Sequence, residues 1–377
     1  EQGEVVLPKM ERLRVMRQAH IELAEEYQLE SEAPLATRTE PLDVERVRAT
    51  GSPQLGASQS RTVPPIEQVR DDVWAVAIPM PGGHIPYSFN YLFRDTDGGL
   101  HVVDAGWDSD ENWQLFVDAV ASIGATIGDI RSIIITHMHP DHIGMAARMR
   151  EATGAPVILH RAERDALEAP RSTSREGEIL AQHLDEWGVP ADRLAELLVV
   201  MGGGAPMAPV IVDRIVEDGE PIEMPGITLI PMWTPGHTNG HICLRDDQRG
   251  LLMTGDHLLP TMHAGLGLGG LSETNALADY LRGLRWVSEY TQHEILPGHG
   301  YRFTGVEKRA HQSAEHHLKR TRQVAAILAE QPDLSVWEIG SRLTWSAGWE
   351  NLANFYLYSA LSQTEMHRDY VLAGGEL

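Results

Sequence analysis

The chain has 377 residues, enough for one large domain with extensions or for two domains. Its 31 basic and 54 acidic residues give a formal net charge of −23, which disfavours binding to nucleic acid or to an anionic membrane surface. A single cysteine excludes an intrachain disulfide, and the chain contains no apolar run of about 18 residues and no secretory signal pattern. We therefore expect a cytoplasmic protein without a membrane span.

The first 66 residues form a region of their own. Up to about residue 30, apolar side chains recur every three residues and predict a helix. This helix either packs on its own domain or acts as an arm on a second subunit, which would make a homodimer. Residues 31–66 are rich in proline, glycine and serine and predict an extended connector over a surface.

Residues 67–305 alternate between strand and helix patterns and form the predicted catalytic domain. Strands followed by helices in two halves favour a sandwich of two sheets with helices outside, although the periodicity alone permits another layered α/β fold. The predicted strands are 73–78, 89–93, 100–104, 132–136, 156–160, 210–215, 227–232, 241–245, 250–254 and 294–297. The predicted helices are 110–123, 143–152, 161–168, 174–187 and 191–199.

The most informative segment, Thr136–His142, has the sequence THMHPDH and follows three consecutive isoleucines. A β-branched apolar run predicts a buried strand, and the polar cluster after it predicts a site on the exit loop. In extended backbone His137 and His139 point to the same side, while Asp141 and His142 fall at the turn into the next helix. Imidazole and carboxylate together suit zinc, iron or manganese, so this loop has the ligands for two metal ions.

Three further metal-competent side chains follow strand-like runs and glycine-containing turns. His237 lies in TPGHT, Asp256 in TGDH and His299 in LPGHG. Glycine allows the sharp turn that projects a ligand from a strand end. A single histidine after glycine is most often an ordinary turn residue. Four such segments in order along one chain, counting Thr136–His142, indicate a metal centre.

The order HxHxDH, TPGHT, TGDH and LPGHG resembles the metallo-β-lactamase superfamily over roughly residues 67 to 305. The upstream segment His101–Gly106 is similar to the early strand of that family, which ends in an aspartate, here Asp104. The resemblance implies an α/β (α+β) fold, the four-layer αββα sandwich, and a dinuclear centre of two zinc ions, with iron or manganese as alternatives.

The resemblance also implies a role for each ligand. Asp256 would bridge the two metals and, with Asp141, take part in catalysis. Asp104 would orient a ligand or the metal-bound water, as carboxylates behind a metal site commonly do. The implied ligands of the first metal are His137, His139 and His237, and those of the second are Asp141, His142 and His299.

Substrate choice is assigned to loops beside the predicted metals. The loop 258–270 follows Asp256 at once, and its Met262 and His263 are candidate contacts with a small-molecule substrate. Residues 82–87 could form another wall, with His84 and Tyr87 as candidates. The glycine run near 199–207 lacks the Lys and Ser/Thr of a phosphate-binding loop, so a lid or pocket wall is predicted instead.

Residues 306–377 are predicted to be mostly helical and resemble the winged-helix-like tail of some lactamase-like hydrolases. The sequence places Ser335 three residues before Glu338, the pattern of a capped helix start. Seven Lys/Arg against nine Asp/Glu in this region leave no basic footprint for nucleic acid. A role in shaping the pocket or in a dimer contact is therefore predicted.

The leading functional prediction is hydrolysis of a small ester, thioester, lactone or amide by a hydroxide held between two metals. One alternative is an endoribonuclease, since some lactamase-like proteins with helical tails cut RNA. The other is a mononuclear-iron oxidoreductase resembling persulfide dioxygenases, which use a subset of these ligands. A flavin-dependent diiron reductase is disfavoured because no flavodoxin-like pattern follows, and a non-catalytic binding protein would not need all seven ligands.

Overall fold

The computed structural model describes residues 47–82, 85–168, 182–202, 209–269, 272, 274–345 and 348–377. The chain divides into two compact units. The larger consists of Leu42–Ala169 and Pro206–Ala314, and the smaller includes Pro170–Ala205 and Glu315–Leu377. The predicted N-terminal helix, and with it the proposed dimer arm, lies outside the described residues. The prediction of an extended connector is wrong for Ser52–Ser60, which is helical, because Pro53 stands in the first turn, where a helix tolerates proline.

Fourteen strands are present in the described part of the chain, and all belong to the larger unit. In chain order they are β1 Arg48–Ala49, β2 Glu67–Arg70, β3 Val73–Pro79, β4 Tyr87–Arg94, β5 Leu100–Val103, β6 Ile130–Ile134, β7 Val157–His160, β8 Arg214–Val216, β9 Ile222–Met224, β10 Ile227–Trp233, β11 Ile242–Asp246, β12 Leu251–Gly255, β13 Glu294–Pro297 and β14 Phe303–Thr304.

The helices accompany these strands and continue into the smaller unit. They are α1 Ser52–Ser60, α2 Asp110–Ser122, α3 Pro140–Ile143, α4 Ala146–Thr153, α5 Arg161–Glu168, α6 Ala191–Gly202, α7 Ala276–Ser288, α8 Val306–Glu330, α9 Val336–Arg342 and α10 Asn354–Leu372. Residues 182–186 are also helical, and short 3₁₀ turns occur at Ile127–Asp129 and Trp349–Asn351.

The strands form two seven-stranded sheets. Their orders are β2-β3-β4-β5-β6-β7-β8 and β1-β14-β13-β12-β11-β10-β9. The pairs from β5 to β8 are parallel, and so is the pair of β12 with β13. Because parallel neighbours end at the same edge of a sheet, the loops after β5, β6 and β7 start side by side, as do those after β12 and β13.

The main core lies between the two sheets. Along β3 the residues Val73, Ala75 and Ala77 belong to this core, whereas Trp74 and Val76 belong to the core on the opposite face. Successive side chains of a strand point to opposite faces, and here both faces are covered, so the strand is apolar throughout instead of alternating with polar residues.

Helices cover the outer faces of the sandwich. On one side α2 buries Phe116 completely against the first sheet, a contact worth about 1.5–3 kcal/mol for a side chain of this size. Ser109 caps the start of this helix by accepting a hydrogen bond from the Asn112 amide at 3.1 Å. On the other side α7 buries Leu277 and Leu284. The predicted αββα sandwich is confirmed.

The smaller unit is helical in its described part. Leu184, Trp187, Val336, Leu357 and Leu361 form its apolar core. The predicted capping box is present: the Glu338 amide donates to the Ser335 hydroxyl at 3.2 Å, and the Ser335 amide donates to the Glu338 carboxylate at 2.8 Å. Its assignment as a winged-helix-like domain, and its part in a dimer, stay predictions.

Four strands were not predicted from the sequence: β1, β2, β9 and β14. They have two to four residues each, and β1, β2 and β9 lie at sheet edges, where one side of the strand needs no partner. Such segments show no clear period of two. Strand β8 also begins later than predicted, at Arg214, because residues 210–213 run outside the ladder. Among the described helices, none combines the length and the apolar composition that a membrane span requires.

Candidate metal centre

The segment after β6 carries four of the predicted ligands, two in the loop before α3 and two in α3 itself, and is held in place by Asp104. This aspartate follows β5 and has a left-handed backbone with φ of +62°. Its carboxylate accepts hydrogen bonds from the Thr136 amide at 2.8 Å, the Thr136 hydroxyl at 2.9 Å and Nδ1 of His142 at 2.8 Å. The parallel pairing of β5 with β6 makes this contact possible, since both strands end at the same edge.

His137, His139 and His237 converge in a first cluster. Nδ1 of His139 lies 3.1 Å from Nε2 of His137 and 2.9 Å from Nε2 of His237. A tetrahedral cation bound at 2.0–2.1 Å would separate its nitrogen ligands by about 3.3 Å, close to these spacings. The outer nitrogens of two rings donate to carbonyl oxygens: Nδ1 of His237 to Gly265 at 2.6 Å and Nε2 of His139 to Leu268 at 3.1 Å.

Asp141, His142 and His299 converge in a second cluster. The Oδ2 atom of Asp141 lies 3.5 Å from Nε2 of His142 and 3.2 Å from Nε2 of His299. The outer nitrogen of each imidazole is fixed, in His142 by Asp104 and in His299 by a hydrogen bond to the Tyr87 carbonyl oxygen at 2.7 Å. Both rings therefore turn one nitrogen toward the cluster.

Asp256 lies between the two clusters and faces both. Its Oδ1 atom is 3.4 Å from Nε2 of His142 and 3.2 Å from Nε2 of His299, in the second cluster. Its Oδ2 atom is 3.5 Å from Nε2 of His237, in the first cluster. A single carboxylate thus offers one oxygen to each group, which is the arrangement expected of a bridging ligand.

The first cluster lowers the pKa of two of its imidazoles, His137 and His237. Burial lowers the pKa of His137 well below its usual range, and His142 and His139 lower it further. Burial together with the neighbouring His139 lowers the pKa of His237 to about 4. At neutral pH both rings are unprotonated, which is the form of histidine that binds a metal ion.

In the second cluster the pKa values of the two histidines are raised, whereas those of His137 and His237 in the first cluster are lowered. Burial alone would lower the pKa of His299, but Asp256 and Asp141 outweigh it and raise this pKa to about 10. The same opposition raises the pKa of His142 well above its usual range. Burial would raise the pKa of Asp141, but His142 and His299 hold it below its usual range. Without a cation, protons on these imidazoles balance the carboxylates, and a bound metal would replace that positive charge.

The residues present fit a pair of divalent cations. Within the described part of the chain, Nε2 of His142, Nε2 of His299 and Oδ1 of Asp256 are buried and make no hydrogen bond. Buried polar atoms are nearly always paired, so three such atoms aimed at one another need another partner. Nitrogen and carboxylate donors form three overlapping groups of three, with the ligand atoms of each group within 4.8 Å of one another, and such donors suit zinc, iron or manganese.

His241 supports Asp256 and was not predicted from the sequence. The Asp256 amide donates to Nε2 of this fully buried histidine at 3.2 Å, while its Nδ1 lies 2.9 Å from the Thr234 hydroxyl. The ring therefore connects the loop that carries His237 with the loop that carries Asp256. It lies directly before β11 in a run with a strand pattern, which has no metal-ligand spacing by which to recognise it.

The candidate substrate residues occupy different environments. Tyr87 is buried, and its hydroxyl donates to the Gly300 carbonyl oxygen at 2.7 Å. Met262 and His263 are partly buried in the loop that follows Asp256. Gly267 and Leu268 of this loop donate their amides to the carbonyls of Gly236 and His237, both at 2.8 Å, so the loop borders the first cluster. His84 lies outside the described residues, and a substrate role for all four stays a prediction.

Gly298 precedes His299 at a point where no side chain fits. A Cβ atom there would lie 2.5 Å from Oδ1 of Asp256 and 2.7 Å from Cε1 of His142. We expect Gly298→Ala to push these ligands apart and to weaken binding of the second metal by about 10-fold or more, measured by competition with a chelator. Gly56→Ala is the control, because a Cβ there meets nothing within 4 Å. Equal metal affinity in both variants would contradict the close packing at Gly298.

Comparisons with known proteins agree with the geometry. The family model of the metallo-beta-lactamase superfamily matches residues 86–299. "Probable metallo-hydrolase YqjP" of Bacillus subtilis is 25% identical over 309 residues, covering 80% of this chain and 93% of the relative. The "Beta-lactamase-like protein 2 homolog" of Caenorhabditis elegans is 23% identical over 294 residues, covering 76% and 81%. The solved structure of a beta-lactamase domain protein from Burkholderia ambifaria, 24% identical, has a TM-score of 0.65 over 82% of this chain and 89% of that chain, a likeness of fold.

Proposed function

Because this chain belongs to the metallo-β-lactamase superfamily, we propose that it is a two-metal hydrolase of a small-molecule ester, thioester, lactone or amide. The observation that carries the proposal is the position of Asp256, whose two carboxylate oxygens face the two clusters separately. A protein that used one metal would need only one of these groups. The resemblance to a relative named as a probable metallo-hydrolase supports hydrolysis as the reaction.

Each side chain has a definite task in this proposal. Two divalent cations, when bound, lower the pKa of a water molecule and polarise the scissile carbonyl group. His139 and His237 would hold the first metal with rings whose outer nitrogens are already anchored on carbonyl oxygens. His142 and His299 would hold the second, the former oriented by Asp104. Asp256 would set the separation of the two sites.

The alternatives differ in what they require of the chain. An endoribonuclease must attract a polyanion, and a net charge of −23 opposes that attraction. A mononuclear-iron oxidoreductase needs only a subset of the ligands. The pairing of Asp141 with His299 at 3.2 Å supports use of the second group as well.

Metal analysis combined with a substrate panel tests the proposed function. We expect about two zinc ions per chain, loss of turnover on chelation and recovery when zinc is restored, because the activated water depends on both cations. The panel contains thioesters, lactones, β-lactams, haloaromatics and RNA. One iron per chain with oxygen consumption on a persulfide, or cleavage of RNA alone, would contradict the proposal.

A further inference from the structure

Glu163 is a buried acid beside the first cluster that no metal-binding pattern accounts for. It lies in the first turn of α5, directly after β7, and only 1% of its surface is exposed. A carboxylate removed from water in this way needs strong partners. Burial raises the pKa of Glu163, and hydrogen bonds with the Thr238 side chain and the Met138 and Gly240 amides oppose this.

The partners of Glu163 are amides of the two loops that carry the first cluster. Oε2 accepts a hydrogen bond from the Met138 amide at 2.8 Å, and Oε1 accepts one from the Gly240 amide at 2.6 Å. Met138 stands between His137 and His139 in a loop of the first sheet. Gly240 comes three residues after His237, in the loop that joins two strands of the second sheet. One carboxylate therefore ties together the loops that supply all three ligands.

The backbone of Gly240 also packs closely against Glu163. A Cβ atom at this position would lie 2.5 Å from the amide nitrogen of Glu163 and 2.7 Å from its Cγ. Only glycine allows the loop to approach α5 so closely. The hydrogen bond and the lack of room for a side chain at Gly240 are two separate observations that this loop is held against Glu163.

We infer that Glu163 is a positioning residue that sets the spacing of His137 and His139 relative to His237, and thereby the affinity and geometry of the first metal site. The inference rests on the proposed function, since it assumes that this cluster binds a metal. Residues that orient metal ligands commonly change metal affinity about 10–100-fold when they are replaced.

The test is Glu163→Gln, with Co²⁺ as the probe metal. Glutamine keeps the volume of the side chain. Its NH₂ group, however, would face one of the two backbone amides that now donate to Glu163, so one of these two hydrogen bonds is lost. We expect Co²⁺ to bind the first site about 10–100-fold more weakly, with a changed visible absorption spectrum that reports altered ligand geometry. Gly240→Ala should give the same change, because the added Cβ would push the loop that carries Gly240 away from Glu163.

Asp95→Asn is the matched control. Asp95 is also a buried carboxylate, and it accepts backbone amides of Asp97 at 2.9 Å and Gly99 at 2.7 Å in a turn between strands. Its replacement should lower thermal stability and leave Co²⁺ affinity and spectrum unchanged. If Glu163→Gln and Gly240→Ala behave like this control, Glu163 is only structural and the inference is overturned. Wild-type protein that binds Co²⁺ but hydrolyses no substrate of the panel would overturn the proposed function and leave this affinity test decisive.

Discussion

Replacement of Asp256 by asparagine is expected to lower kcat strongly while the protein stays folded. The amide would present one oxygen and one NH₂ group to clusters that now each face a carboxylate oxygen, so one metal loses its ligand. Removal of a single group that stabilises developing charge already costs about 10²–10³-fold in kcat, and here the metal spacing is lost as well. We expect a fall in kcat at the upper end of that range or beyond.

Steady-state kinetics, metal content and circular dichroism together check this prediction. The variant should retain the spectrum of the folded protein and bind about one metal per chain. Asp246→Asn is the control: this fully buried aspartate at the end of β11 pairs with Arg249 at 3.0 Å and contacts no member of the clusters. It should lower stability and keep turnover. Asp256→Asn with normal kcat and two metals would refute the bridging role.

Replacement of Arg302 by alanine is expected to destabilise the larger unit by about 3–5 kcal/mol, the cost of leaving buried charges without their partner. Arg302 is 5% exposed, and its guanidinium pairs with Glu294 and Glu67. Its backbone amide donates to the Gln54 side chain at 2.9 Å. Arg70 also pairs with Glu294, at 2.7 Å, but through Oε2, whereas Arg302 contacts Oε1 of Glu294 and Oε1 of Glu67.

Urea unfolding of the wild type and of Arg302→Ala measures this difference in the free energy of unfolding. Arg161→Ala provides the comparison, because its ion pair with Glu217 has side chains that are 54% and 47% exposed. Exposed pairs contribute about 0–1 kcal/mol, so that variant should unfold almost like the wild type. A loss below about 1 kcal/mol for Arg302→Ala would show that the network contributes little to stability.

Much of the candidate site was predictable because its signals are local. His137, His139 and Asp141 belong to one short segment directly after a strand, and the turn glycine beside His237 marks a strand exit. Residue type limits the possible metals, and strand periodicity limits where the side chains can point. The short strands β1 and β14 were not predicted, because two residues are too few to show an alternating pattern of apolar and polar side chains. They form because they pair with each other, for example Ala49 with Phe303.

What the sequence determined by itself was the set of candidate ligands and the layered class of the fold, because both follow from the residue types and spacing within short segments. The tertiary structure decided how these parts act together. The carboxylate of Asp256 faces both clusters, His241 supports it, and Glu163 joins loops from two sheets across 25 and 77 positions of the chain. Contacts at such separations depend on how two sheets pack, which no local pattern of residues encodes.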